Sequence, residues 1–375
     1  LENLASFFST IVTRFPFQTF SGGVLVVFLG GIGIQNINVD VNVANFFKPG
    51  TEIRDSMDFM DREMSGTMDL RVRIEADVKD PRILNGLDSL QSFVQENENI
   101  SVTYSIADVV KQMHRAVMDD SLKYESIPPT REKVNNLFTM YYMSGDHDGL
   151  SSMIDPDHKT TLITSLSSIM STEDIFSLVE SMTTYIDKHF FGTEKINITG
   201  MIVVIRDMVL MVIRSALLSI AISVLLIGLI TSLFFRGVIW GALSIIPLFS
   251  AVILNFGLMG HFDIALNHIT AILSSIIIGV GVDFAIHYIS QFQKLSKIKR
   301  EKNVTKDVVK DVGYPILLDA GSNMGFGALI FSVFLPVQYI GGLMVFAMIS
   351  TSLGTLVLLA SATQILSDRI SKGKI

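Results

Sequence analysis

Asp283, His287, Asp319 and Asn323 have the types and spacing to move a proton through a membrane. Asp283 sits in Ile276-Ile277-Ile278-Gly279-Val280-Gly281-Val282-Asp283-Phe284-Ala285-Ile286-His287, inside an apolar run long enough to cross a bilayer. A carboxylate at that depth costs several kcal/mol, so such acids face a bundle interior or an aqueous path and mark ion sites, relays or transport routes. The competing reading is a structural polar contact between helices. Asp283 lies seven residues before the inner end of its span, near Ser290, and Asp319 about seven after the inner start of the next, near Val312. At 1.5 Å per residue both fall ~10 Å inside the same membrane boundary. His287 is one turn from Asp283, and Asn323 stands in the same relation to Asp319. Two acids, an imidazole and an amide at one level can hold or pass a proton: burial favours the neutral acid, while an imidazolium or amide donor favours the carboxylate. Taken singly, each has a plainer role. Asp319 is near enough to the edge for partial hydration, His287 suits the interface, and Asn323 suits an interhelical hydrogen bond.

The elements that must position these residues are membrane spans. Apolar residues make up 49% of the 375 residues and charged ones 17%, and mean hydropathy is +0.48, values typical of a polytopic membrane protein. Stretches 15–34, 212–235, 238–258, 268–290, 313–335 and 338–365 each supply a span of ~20 residues. The polar stretch 35–205 is too long for a loop and must be a domain. The expected organisation is therefore residues 1–34 with the first helix, a domain over 35–205, five further helices over 206–367, and a tail over 368–375.

Positive charge marks the cytoplasmic loops. Lys294, Lys297, Lys299, Arg300, Lys302, Lys306 and Lys310 crowd the loop 291–312, Arg236 follows the second span, and Arg369, Lys372 and Lys374 fill the tail. The turns 259–267 and 336–337 have no Lys or Arg. Both termini are thus expected in the cytoplasm, with 35–205 outside the cytoplasmic (inner) membrane. That domain has 15 Lys and Arg against 27 Asp and Glu, and the remainder 14 against 9. An acidic exterior over a basic inner face speaks against nucleic acid as a partner. The chain has no cysteine, so disulfides, thiolate metal sites and Cys nucleophiles are excluded.

Within the domain, 69–76 alternates as a half-buried strand, 81–95 has helical spacing through Ile83, Leu87, Leu90 and Val94, and 100–104 is a second strand. Strands near 160–168 and 195–199 flank a helix capped by Ser171. Two such βαβ units make a ferredoxin-like split fold, with an α-helical insert over 106–158. Inside the insert, Asp146-His147-Asp148 and Asp155-Pro156-Asp157-His158 bring carboxylates and imidazoles together. They lack an EF-hand's ligand spacing and closing Glu, so a solvated loop is expected and no metal. Gly279, Gly281, Gly321 and Gly325 are small residues suited to close helix packing, in no setting that would cradle phosphate.

One helix, a large outer domain and five helices, with Gly279 to His287 in the fourth span and Gly325-Phe326-Gly327-Ala328-Leu329-Ile330-Phe331-Ser332 in the fifth, resemble one repeat of a resistance-nodulation-division (RND) transporter. The mycobacterial-membrane-protein-large-like (MMPL-like) and hydrophobe exporters are the most similar branch, and Ser105-Ile106-Ala107-Asp108-Val109-Val110-Lys111-Gln112-Met113 also looks like it. The resemblance implies proton-driven export of hydrophobic or amphiphilic, lipid-like substrates by a secondary active transporter rather than an enzyme. It also implies Asp283 as the protonatable residue, the outer domain as porter, and no cofactor beyond the proton gradient. Relatives have two repeats, so a second six-helix repeat is an expected partner, beside membrane lipids and the substrate. Many also have Tyr after the acid, where Phe284 stands here, which leaves more of the relay to Asp319, His287 and Asn323. Two other readings stay open: a sterol- or lipid-sensing module that does not pump, and a protein-export helper resembling paired six-span secretion subunits.

Overall fold

The computed structural model describes residues 2–143, 149–190, 194–298 and 304–370. It divides into two compact units, Leu1–Lys48 with Val209–Ile375, and Pro49–Met208. The first unit opens with α1 (Glu2–Arg14) and α2 (Pro16–Gly31). Pro16 stands at the first turn of α2, where its missing N–H is no loss and its fixed φ starts a new helix. Residues 37–48 stay with this unit. Val39 pairs with Leu266 and Phe47 with Phe334, and the Phe46 ring meets those of Phe334 and His268.

The second unit contains α3 (Glu52–Glu63), β1 (Met68–Glu75), α4 (Pro81–Gln95), β2 (Ile100–Tyr104), α5 (Ile106–Val117), α6 (Arg131–Met143), β3 (Thr160–Ser167), α7 (Thr172–His189) and β4 (Lys195–Thr199). The strands form one sheet in the order β2-β3-β1-β4, and every neighbouring pair is antiparallel. Each βαβ crossover thus skips one strand, and the two units interleave. The alternation in β1 is realised: Met68, Leu70, Val72 and Ile74 are buried, each contributing about 1.5–3 kcal/mol. Asp80 caps α4 by accepting from the Arg82 amide. The Ser105 hydroxyl caps α5 while Asp108 accepts from the Ser105 amide, a capping box that satisfies two amides otherwise left without partners. Gln91 of α4 donates to Asp108 and accepts from Ser105, so the Ser105-to-Met113 stretch ties α4 to α5.

The chain returns to the helical unit through α8 (Met201–Phe234), followed by α9 (Val238–His261), α10 (His268–Ile298), α11 (Val304–Asn323), α12 (Leu335–Leu353) and α13 (Ala360–Ile370). A π-helical turn, Gly354–Leu359, joins α12 to α13. Among the described residues five helical stretches are long and apolar enough to cross a membrane: Pro16–Asn36, Met201–Phe234, Val238–His261, His268–Ile298 and Leu335–Leu366. The expected span 313–335 is built differently. It starts midway along α11, whose first turns are charged (Lys306, Asp307, Lys310, Asp311), and passes after Asn323 into a 3-10 helix, Met324–Phe331. Runs of 3-10 turns, with their i to i+3 hydrogen bonds, rarely extend so far, and within a helix they often mark a hinge.

Candidate functional site

The rotation of α10 is fixed by its largest side chains. Phe284, Tyr288 and Phe292, each one turn apart, are fully buried, and the Tyr288 hydroxyl bonds the Thr363 hydroxyl of α13 at 2.7 Å. A β-carbon on Gly281 would press on Thr351 and Leu248, so α10 approaches α12 and α9 closely there. The residues one position before the aromatic row, Asp283 and His287, are turned about 100° away. Both are exposed, together with Ile272, Ile276 and Gly279. These five lie at three- and four-residue spacing and form a single stripe along the helix.

On the neighbouring α11, Asp319 is exposed as well, and Asn323 donates to its carboxylate at 3.3 Å. Among the described residues no side-chain hydrogen bond or ion pair reaches Asp283 or His287, and none joins them to Asp319 or Asn323. The glycines divide accordingly. A β-carbon on Gly279, Gly321 or Gly325 would meet nothing within 4 Å, so only Gly281 of the four works in close packing inside this unit. The outward faces of α10 and α11 therefore carry two carboxylates, an imidazole and open glycine surface, and Asp283 lies within a helix long and apolar enough to cross a membrane, where a carboxylate facing lipid is costly.

A second feature was not read from the sequence. A cavity of about 440 Å³ opens between α8 and α10, bordered by Met211, Ser215, Ser219, His268, Ile272 and Ser275 among others. The Ser219 and Ser275 hydroxyls bond each other across it. Its signal was the pair Ser215 and Ser219, one turn apart in a helix that is mostly apolar after Arg214. An apolar wall with a few hydroxyls and one imidazole suits an amphiphile.

Of the acidic, His-bearing segments, Asp146-His147-Asp148 lies outside the described residues. Asp155 closes a turn, accepting from the Lys159 and Thr160 amides at 2.7 Å. His158 is half-buried edge-on to Phe138, with the Tyr142 hydroxyl 3.1 Å from Nε2. Among the described residues no three His, Cys, Asp or Glu are grouped to hold a metal. Burial first, and Lys79 second, push His158 below the ordinary imidazole value of 6.5. Its contribution to stability is thus present above pH 6.5 and is lost as the pH falls below it. Unfolding followed by circular dichroism between pH 7.5 and 5 should show the α+β unit weakening on acidification. His158→Gln should flatten that dependence; an unchanged slope would refute the assignment.

A bundle of long apolar helices with carboxylates on its outward faces, joined to a four-stranded α+β unit, defines a polytopic membrane protein. The chain belongs to the MMPL family, whose model matches residues 64–369. It is 22% identical over 259 residues to a membrane protein of Methanocaldococcus jannaschii, covering 68% of this chain and 63% of that one. Its fold is similar to the cryo-EM structure of the hedgehog release protein Disp from the water bear Hypsibius dujardini. That match has a TM-score of 0.67 and 13% identity, and covers 98% of this chain and 50% of Disp. The chain thus spans less than two thirds of the archaeal relative and half of the animal protein.

Proposed function

We propose that this chain is one repeat of an RND-type transporter that uses the proton gradient to export hydrophobic or amphiphilic substrates across or out of the cytoplasmic membrane. The observation that carries this reading is the exposure of Asp283 and His287 on α10 and of Asp319, bonded by Asn323, on the neighbouring α11. A second six-helix repeat, either another copy or the other half of a longer chain, covers the stripe, removes it from lipid and encloses the acids in a protonatable interface. The half-length match to Disp supports this. α11 with its 3-10 continuation serves as the sixth span, the termini are cytoplasmic, and 35–205 forms an outer porter domain. The strand order β2-β3-β1-β4 supports its ferredoxin-like assignment. Protonation of Asp283 changes the packing of α10 and α11 against the covering repeat, with the 3-10 stretch as hinge, and no chemistry is done on the substrate. The α8/α10 cavity by itself would also suit a lipid-sensing module that does not pump; the acids favour transport.

The test is movement of a fluorescent long-chain amphiphile in proteoliposomes under an imposed pH gradient. Transport that follows the gradient and stops with a protonophore is expected, and binding without gradient-dependent movement would leave the sensing module. The covering repeat has its own test, made simple by the absence of cysteine from these 375 residues. In native membranes a lipid-soluble maleimide should label Gly279→Cys at least about tenfold more slowly than Leu225→Cys on the lipid-exposed face of α8. Equal rates would place the stripe against lipid.

A further inference from the structure

α10 is hydrogen-bonded through side chains to several of its neighbours. Ser275 bonds Ser219 of α8, Tyr288 bonds Thr363 of α13, and Gln291 donates to Asp311 of α11. Among the described residues no side-chain hydrogen bond joins it directly to α9, although the two helices pack together. Between them lies a cavity of about 10 Å³ bordered by Val252, Asn255, Met259, Thr270, Ser274 and Ile277. Asn255 is 3% exposed and Ser274 4%. The Asn255 Oδ1 atom is buried without a hydrogen-bond partner, and its Nδ2 reaches only the Ala251 carbonyl, at 3.4 Å. Ser274 donates to the Ala271 carbonyl at 2.7 Å, which uses its hydrogen and leaves its lone pairs open. Thr270 is already engaged, donating to the Ala265 carbonyl and accepting from the Asn267 amide.

The open valences of this cavity are therefore two acceptor oxygens, Asn255 Oδ1 and Ser274 Oγ, beside one remaining hydrogen on Asn255 Nδ2. One neutral N–H would not repay the desolvation of an anion. A bare cation would be stripped of water among neutral groups with no carboxylate on the wall, and the desolvation cost would not be repaid. A molecule with two hydrogens to give, small enough for a space of about 10 Å³, the lower limit for holding one, is a single water. We propose that a single buried water binds between α9 and α10, donating one hydrogen to Asn255 Oδ1 and the other to Ser274 Oγ. It satisfies the orphaned amide oxygen and supplies the link between the two helices that direct side-chain bonds do not. Ser274 lies nine residues before Asp283 on the same helix, so the water pins α10 to α9 ~14 Å along the axis from the acid.

X-ray radiolysis splits bound water where it sits, so the hydroxyl radicals modify buried side chains beside it that bulk radicals cannot reach. Met259 borders the cavity and is 3% exposed, and Met344, equally 3% exposed, does not border it. On the purified full chain, Met259 should be oxidised several-fold faster than Met344, and Asn255→Leu should bring the two rates together. Equal rates in the unmutated protein would overturn the proposal. So would an excess at Met259 that survives Asn255→Leu, because the label would then come through opening of the bundle. Should Asn255→Leu fail to fold, Ser274→Ala removes the other acceptor with a smaller change of shape, and the same fall at Met259 is required.

Discussion

Asp283→Asn is expected to abolish gradient-dependent transport while leaving the protein folded. Asn keeps the size of Asp and its capacity to hydrogen-bond, but it cannot take up and release a proton, so the substitution separates relay from packing. The structure makes the control clean. Asp283 is exposed on the helical unit and has no side-chain partner among the described residues, so its replacement breaks no bond inside the unit, and removing a charge at membrane depth relieves a cost. The melting temperature should hold or rise slightly while amphiphile flux falls to the rate seen without a gradient. Asp319→Asn should impair flux less, because its partner Asn323 can still bond an amide. Near-normal gradient-driven flux in Asp283→Asn would remove the relay, and a large loss of stability would make the residue structural.

The largest effect on stability should come from Gly260. A β-carbon there would collide with the Gly33 carbonyl oxygen, and one on Gly257 with that of Gly30. The obstacles are backbone atoms, which cannot swing aside as a side chain can. Gly30 and Gly33 face Gly257 and Gly260, so two small-residue pairs let the first span and α9 touch backbone to backbone. Gly260→Val should cost at least about 3 kcal/mol and lower the melting temperature in detergent by about 5 °C or more. Gly22, where a β-carbon meets nothing within 4 Å, is the control: Gly22→Ala lies inside α2 and should be neutral or gain up to about 1 kcal/mol. Equal effects at the two positions would mean that the approach of the helices is not what Gly260 provides.

How much was legible in the sequence follows from how locally each feature is determined. The alternation of β1, the Ser171 cap and the spacing of Ile83, Leu87, Leu90 and Val94 depend on residues within a turn or a strand, and they predict elements that the structure contains. The non-adjacent pairing of the strands was legible too, because two βαβ units of that size leave few ways to close one sheet. Span lengths follow from apolar run lengths, and so does membrane residence. The run 313–335 is built as the second half of α11 followed by a 3-10 helix rather than as one regular helix, which hydropathy does not foresee because it counts side chains and not backbone geometry. With Pro315 inside the helix and Gly325 and Gly327 beyond it, the chain tightens into 3-10 turns that composition does not register.

The sequence alone determined that Asp283 shares a face with His287, and Asp319 with Asn323, because a helical period of 3.6 residues permits no other outcome. It could not determine which way those faces turn. That was decided by Phe284, Tyr288 and Phe292, whose rings took the inside of the bundle against helices distant in the chain and left the acids on an uncovered surface. The α8/α10 cavity, the glycine contact of α2 with α9 and the orphaned oxygen of Asn255 have the same origin. Each depends on which helices become neighbours, and in a bundle of many similar apolar faces that choice is made by the fit of whole surfaces, a property no local stretch of residues contains.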